Sequence, residues 1–509
     1  MKLNHIYKSI ACGVLLAMTA TSCDLDYNPV DTYSDVTEGV NKTDEKPIFN
    51  SVQDVETSMV TLHKKFRDQQ EHWYVDKLLI GDAHSDNAYA GTTGAEVVPY
   101  ETNSIEGSNS VLKRDWDRFL GDIAVANRII VGCDQLKALS ESERGKYQSQ
   151  AKIFRAMVMF DMVRLWGNFP VITTVGGDIT EDNVEEMYPT YFPPQNTAEE
   201  AYAQIEKDLT EAVENPNTPT NDTSDKSILT KSVARAMLAK VYAEKPLRDY
   251  AKVIKYADEL AADGFDLVED FSDLWAYDTE KKDCRVRNTK EAILEAHFPP
   301  GSGNWCTWMF GRQLEQLGMK VFTWAKWITP SRDLIRLYEE QGDTKRYNES
   351  VVWYDCGWSN YYPADHYAFM YKCRSAFNSI IYLRYADILL LKAEAKIMGE
   401  APDLNGAADI IDRIRNRAGL GKLPQSTRSS KEALLQAYMD ERRMELAFEG
   451  QRWYDLCRLN KVEEVMNAVY AKDSGRHAQE NLFNENSYLL AIPQGAIDQN
   501  ENLIQNPGY

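Results

Sequence analysis

Histidine is scarce in this chain, 7 of 509 residues, and none stands in an H-E-x-x-H pair or a tight cluster with cysteine. The common signatures of protein-bound zinc are therefore missing, and neither a metal nor a cofactor is expected. Cysteine is sparse too: 8 in all, none in a C-x-x-C pair, at irregular spacings. So few thiols in a body this large do not make a disulfide scaffold. One or two bridges stay open, with Cys356 and Cys373 as the candidate pair, and buried free thiols are the equal alternative. No apolar run is long enough to cross a bilayer; the longest uncharged one near the start, Ile10 to Ala20, is too short. Positive charge is in deficit, with 57 Lys and Arg against 78 Asp and Glu and a formal net charge of -21. Such a chain repels nucleic acid and anionic membrane. No nucleic-acid partner is expected, and strongly anionic polymers are poor ligands.

What is present begins at the start of the chain. Lys2 and Lys8 precede the apolar stretch, Ala20, Thr21 and Ser22 follow it, and then comes Cys23, with Asp24 and Asp26 after it. A charged start, a short apolar core and small residues form a secretory signal, residues 1–22. A cysteine directly after the small residues is the pattern of a bacterial lipoprotein. Cleavage before Cys23 would leave its sulfur and amino group to carry acyl chains, which hold a soluble body at a membrane surface. An ordinary secretory signal with a chance cysteine is the plain alternative. Residues 23–46 are polar and read as a tether.

Helical periodicity then dominates. Val55, Met59, Leu62 and Phe66 share one face of a helix over residues 52–66, and Trp116 to Val131 repeats the pattern. Ser140-x-x-Glu143, Thr197-x-x-Glu200 and Ser429-x-x-Glu432 are capping boxes that open further helices. The first of these runs to about Leu165 and the last to about Arg458. Thr230 to Tyr242 with Tyr250 to Ala262, and Arg384 to Met398 with Ala407 to Ala418, form close helical pairs. Arg155-Ala156-Met157 echoes Arg235-Ala236-Met237. Small residues on one face let helices approach closely, as in stacked helix hairpins. The expectation is a mainly α fold, with helix pairs over about 47–262 and 384–458.

Residues of about 265–380 differ. Helical period is weak there, except near Ser331 to Glu340, and aromatic residues crowd polar stretches. A loop-rich segment of this length is functional or disordered, and its aromatic content argues against disorder. Short strands are expected here and near Tyr488 to Ile492. The chain as a whole carries 28 Tyr, 16 Phe and 11 Trp. Aromatic rings in loops supply flat apolar faces at low entropic cost, which suits a sugar- or peptide-binding surface.

Several motifs together resemble one family. They are Arg384-Tyr385-Ala386-Asp387-Ile388-Leu389-Leu390-Leu391-Lys392-Ala393-Glu394-Ala395, and the run from Glu441-Arg442-Arg443 through Glu445, Glu449-Gly450, Arg452 and Asp455 to Arg458. To these add Ile492-Pro493 with Gln505-Asn506-Pro507-Gly508-Tyr509, Arg155-Ala156 through Arg164-Leu165-Trp166-Gly167, Trp116 through Asn127, and Pro330 through Leu334. Taken in their order along the chain they resemble the SusD/RagB family of Bacteroidetes outer-membrane lipoproteins, across nearly the whole chain after the signal. The resemblance implies an α-helical body of tetratricopeptide-like helix pairs, residues 47–509, lipid-anchored through Cys23 on the outside of the outer membrane. It further implies a SusC-like TonB-dependent transporter as partner and a glycan ligand, or a peptide in some members. No enzymatic activity is implied.

Two groups of residues invite a site. Glu441, Glu445 and Glu449 lie four apart, and paired carboxylates perform glycosidic acid–base work. Arginines are interleaved with them, so an exposed, ion-paired helix face is the simpler account. Asp387 with Arg384 reads the same way, and no catalytic residue is expected. Ligand contact is instead expected from Trp73, Tyr74, Asp86, Asn87 and Tyr89 in an early polar loop, and from Trp305, Trp308, Trp324 and Trp327. The resemblance supplies these regions, and a packing role is as good a reading for any single Trp. Trp116, Trp166, Trp275 and Trp453 fall in helical or family-core patterns and are assigned to packing. A surface glycoside hydrolase is the reading left if a nucleophile or acid–base pair lies in a cleft.

Overall fold

The structure, a computed structural model, describes residues 47–509 except 92, 178–182, 279, 282, 299–302, 306–320, 323–326, 373 and 376. Cys23, Trp308, Trp324 and the Cys356–Cys373 pair thus lie outside the described residues or depend on one that does. Residues 47–175 and 189–509 form one compact unit. Residues 176–188 belong to a second unit with residues 1–46, and its described part holds the start of a helix, Val184–Tyr191.

Helix α1, Val52–Asp68, opens as a capping box: Asp54 N–H donates to Ser51 Oγ at 3.3 Å and Ser51 N–H donates to the Asp54 carboxylate at 2.9 Å. Val55, Met59, Leu62 and Phe66 are its buried stripe. A helical stretch, Glu71–Ala83, follows. It is π-helical at both ends around a single α turn, Asp76–Leu78. Strand β1, Ala88–Ala90, leads by way of a short helix, Val98–Thr102, to α2, Ser110–Gln135. Helix α3, Glu141–Trp166, starts at the Ser140/Glu143 capping box, and α4, Ala198–Glu214, at Thr197/Glu200. Helices α5, Lys231–Ala243, and α6, Tyr250–Ala262, complete the first half.

The middle of the chain supplies strands β2, Ala292–Ala296, and β3, Ile328–Pro330, helix α7, Arg332–Gln341, and strands β4, Val351–Cys356, β5, Tyr367–Met370, and β6, Ile380–Arg384. Helices α8, Tyr385–Met398, α9, Leu404–Arg417, α10, Lys431–Leu446, α11, Arg452–Arg458, and α12, Val462–Lys472, follow. β1 pairs antiparallel with β3, Tyr89 opposite Thr329, and β2 pairs with β6 through an irregular register. β4 pairs with β5, Val351 opposite Met370. Strands thus gather in the middle region, as expected. Residues 489–492 do not form one: after a short 3₁₀ turn, Glu485–Tyr488, their backbone bonds to the end of α3, with Leu490 N–H donating to Leu165 O at 2.8 Å.

Helices pack in sequence: α2 on α3, α3 on α4, α4 on α5, α5 on α6, α6 on α8, and α8 on α9 and α10. Short connections join α2 to α3, α5 to α6 and α8 to α9 as hairpins, and stacking these buries faces that no single hairpin could bury. α3 is buried on nearly every side, so it lacks a polar stripe. The Arg-Ala-Met echo has a physical basis here. Arg155 donates to both oxygens of Asp208 on α4, at 2.7 and 2.8 Å, and Arg235 donates to both of Asp263 beyond α6, at 2.7 and 2.9 Å. Each arginine ties one helix to the next.

Three expectations change in the last third. The helix read from Ser429 to Arg458 is two helices. Ser430 caps α10, accepting from Ala433 N–H at 3.2 Å, while Ser429 Oγ donates to Gln425 O. Phe448 and Gly450, at φ +62° and +69°, end α10 before α11 begins. The Glu441/Glu445/Glu449 stripe is ion-paired as expected, but it is not exposed. Glu441 and Glu445 are fully buried. Glu441 meets Arg346 at 2.8 Å, Glu445 meets Arg384 at 2.6 Å and also Arg417, and Glu449 meets Arg384 and Lys372 at 2.6 Å each. Arg384 and Asp387 do not pair with each other; Asp387 takes Lys240 and Arg442 instead.

Candidate functional site

The early polar loop turns inward. Trp73 has no exposed surface and packs against Phe66 and Phe154, at 4.5 and 5.3 Å between ring centroids. Its Nε1 donates to Asp122 at 2.9 Å. Asp86 is buried under two guanidinium groups, with Arg452 donating to both carboxylate oxygens at 2.8 and 2.9 Å and Arg443 at 3.2 Å. Burial alone would raise the Asp86 carboxyl; these arginines override it and hold it far below the usual carboxylate range. Asn87 accepts from Arg443 at 2.9 Å and donates to Asp82 at 2.8 Å. Tyr89 stacks on Tyr361 at 4.6 Å and donates to Asp473 at 2.9 Å. Trp73, Asp86, Asn87 and Tyr89 therefore hold the fold together and present no face to a ligand. The sequence assignment of these four to ligand contact is corrected: a small polar segment that looked like a loop is the docking strip for the arginines of α10 and α11.

Tyr74 is half-buried and sits edge-on to Tyr382 at 6.5 Å. Both line a cavity of about 50 Å³ beside Lys77, Asp161 and Arg164. A space of that size admits water and not a sugar ring.

Trp305 and Trp327 remain at the surface. Trp305 is 43% exposed. Its backbone is held from two sides. Gln70 accepts from Trp305 N–H at 2.7 Å and donates to Gly303 O at 3.3 Å, and the buried Asn304 amide donates to Ser375 O and Asn378 O at 2.9 Å each. A fixed backbone under an outward ring makes a contact that loses little entropy on binding. Trp327 is half-buried, its carbonyl accepts from Gly91 N–H at 3.1 Å, and the Arg114 guanidinium lies 5.7 Å from its ring centre. Each residue has a neighbour near the start of α2: Trp305 bonds Gln70 through its backbone and Trp327 has Arg114 over its ring. Gln70 precedes Glu71, Glu71 pairs with Arg118 at 2.5 Å, and Arg118 stands one turn from Arg114. Burial works to raise the Glu71 carboxyl, and the Arg118 guanidinium overrides it and holds Glu71 below its usual value. Beneath Arg114 lie Asp76 and Asp115. Burial, together with the neighbouring Asp76 charge, pushes the Asp115 carboxyl well above the usual range. This region thus holds two indole rings, with the Arg114 guanidinium beside Trp327 and the Glu71–Arg118 pair next in sequence to Gln70. Ring faces meet sugar C–H surfaces, and the charged edges bond hydroxyls.

Gln70, Glu71, Arg114 and Arg118 were not read as site residues. Arg114 and Arg118 are spaced i, i+4 on the outer face of α2, a pattern that marks a solvated face and nothing more.

Comparison with known proteins follows the same fold. Residues 370–509 match the SusD family, and residues 33–243 match the family described as starch-binding, associating with the outer membrane. Together these cover more than two thirds of the chain. A SusD-like protein of Bacteroides ovatus is 25% identical over 491 residues, 88% of this chain and 81% of its own length. A solved SusD superfamily protein from Bacteroides vulgatus superposes with a TM-score of 0.72 at 18% identity, covering 91% of this chain and 100% of the other. Surface glycan-binding protein A from Bacteroides thetaiotaomicron, solved in complex with laminarihexaose, superposes with a TM-score of 0.67 at 18% identity, covering 89% and 99%. The fold is the helical fold of SusD superfamily proteins. The chain belongs to the SusD family.

Proposed function

We propose that this protein binds a glycan at the cell surface and delivers it to a SusC-like TonB-dependent transporter. Cys23 would tether it by lipid to the outer membrane. The observation that carries the ligand reading is Trp305, 43% exposed on a doubly clasped backbone, with the half-buried Trp327 beside Arg114 as a second ring. The laminarihexaose complex of a protein with the same fold supports a saccharide as ligand. The family description of association with the outer membrane supports the location. A binding role without catalysis is the consistent account of the carboxylates. Glu445 is buried and committed to arginines, so it has no access to a glycosidic oxygen.

Calorimetric titration of the full-length protein with laminarihexaose and other plant and host oligosaccharides tests this reading. Trp305→Ala and Trp327→Ala should each cost about 1–3 kcal/mol of binding, and chromatography after long incubation should show intact ligand. Parent-like binding by both variants would sink the role of the two rings. Selective binding of peptides would move the chain to the peptide-binding branch of the family, and cleavage products would make it a hydrolase. Co-purification of a TonB-dependent barrel from the native membrane tests the delivery step.

A further inference from the structure

A second cleft, of about 810 Å³, lies where residues 103–107 meet residues 480–509. Its volume falls in the range of small-molecule sites, roughly 300–1,000 Å³. Among the described residues its lining holds no Lys, Arg or His, and its only charged side chains are Glu106 and Glu480. Amides and hydroxyls make up most of the rest. Two loops are locked to build it: Asn103 Nδ2 donates to Asn481 O at 3.0 Å, and Asn481 Nδ2 donates to Asn103 O at 2.9 Å. In both amides the Oδ1 atom accepts no hydrogen bond among the described residues. The side-chain amide of Asn486 makes none there either. The Tyr509 ring lines the same cleft, 44% exposed, its hydroxyl anchored on Leu489 O at 3.1 Å. Gly508, at φ +98°, lets the chain close on Asn486, where an added Cβ would stand 2.8 Å from the Asn486 Cβ. Tyr509 and Asn486 line the same cleft.

We propose that this cleft is a second saccharide site, which takes a neutral oligosaccharide by stacking on Tyr509 and by hydrogen bonds to Asn103, Asn481 and Asn486. The choice of ligand rests on the glycan-binding reading above and on the lining itself. Two carboxylates and no cation disfavour sulfated or uronic chains. Neutral amides match hydroxyls as both donors and acceptors. Two recurring modes of peptide capture use a sheet edge or an apolar helix groove, and residues 103–107 and 480–509 contain no strand.

Hydroxyl-radical footprinting of the full-length protein reads this site directly. The probes are laminarihexaose, maltohexaose, cellohexaose and xylohexaose at millimolar concentration, with a mixed peptide library as control. At least one neutral oligosaccharide should protect Tyr509 several-fold, and should still do so in Trp305→Ala. Tyr509→Ala should weaken that binding phase about tenfold or more, the scale of one lost aromatic anchor. Tyr509→Phe keeps the ring and should hold within about threefold, below the factor of ten that 1.4 kcal/mol represents. Protection of Tyr509 by none of the saccharides, or by peptides instead, overturns the proposal. So does parent-like binding by a folded Tyr509→Ala. Protection of Tyr509 without protection of Trp305 would overturn the role of Trp305 and leave this site standing.

Discussion

Single residues separate into those that hold the body and those that face outward. Trp73 and Trp305 are the sharpest pair. Trp73→Ala empties a core site among Phe66 and Phe154 and removes one donor to Asp122, which keeps His72 and Lys65, so about 3–5 kcal/mol of stability should go. Trp305→Ala should change stability by no more than about 0.5 kcal/mol while weakening ligand binding. Denaturant titration beside calorimetry distinguishes them. Asp86→Ala leaves Arg452 and Arg443 buried without their shared partner, and the loss should again be about 3–5 kcal/mol. His84 gives a pH test. It is buried against Trp453, at 3.9 Å between ring centroids, and its Nδ1 bonds Tyr100 O. Burial outweighs that hydrogen bond and takes its pKa down to about 4. The unfolded value is near 6.5, so neutral His84 contributes stability that is complete above about pH 6.5 and is lost as pH falls through about 4. His84→Phe removes that loss. Relative to the parent, the variant should gain on the order of 3 kcal/mol between neutral pH and about pH 4. An unchanged difference across that range would mean that His84 does not titrate as its surroundings dictate. Asp82, raised to about 6 by burial, acts in the opposite direction over part of the same window.

At the scale of elements, the end of α10 decides how the arginines reach their partners. Asp82 accepts from Phe448 N–H at 3.0 Å and Gly450 N–H at 2.9 Å, so the buried carboxylate satisfies the backbone where the helix stops. Gly450 runs directly past Gly81: a Cβ on Gly81 would stand 2.4 Å from Gly450 Cα. Gly81→Ala should therefore cost about 1–3 kcal/mol or more, because backbone and not a flexible side chain must yield. A lowered urea midpoint with an unchanged slope would record it. The helices themselves were legible because their causes are local. Ser51 with Asp54, Ser140 with Glu143 and Thr197 with Glu200 close rings within four residues. The break after α10 was not legible. Glu441 to Arg458 keeps a helical pattern throughout, and the reason to stop lies in Asp82, far away in sequence.

For the whole molecule, attachment is the open physical question. Among the described residues no helix is long and apolar enough to cross a membrane, and a net charge of -21 gives no attraction to anionic lipid. On the lipid attachment proposed above, membrane retention rests on Cys23, and Cys23→Ala should shift the protein to the aqueous phase on detergent partitioning. Retention of the variant at parent level would exclude lipid at Cys23 as the anchor.

The sequence by itself determined most of the helices, the Ser140 and Thr197 caps and the family, since each rests on neighbours within a turn or on motifs in linear order. It also showed that Glu441, Glu445 and Glu449 would be taken up by arginines. Only the tertiary structure decided which aromatic rings meet solvent. Trp73 and Trp305 are alike in composition of surroundings, both in polar stretches. One is sealed by Asp122 and Phe154, and the other is held outward by Gln70, 235 residues away. Burial is set by which distant segments arrive at a side chain, and no local window contains them. The same reason hid Asp86, whose partner Arg452 is 366 residues off, and the cleft that Asn103 and Asn481 close across 378 residues.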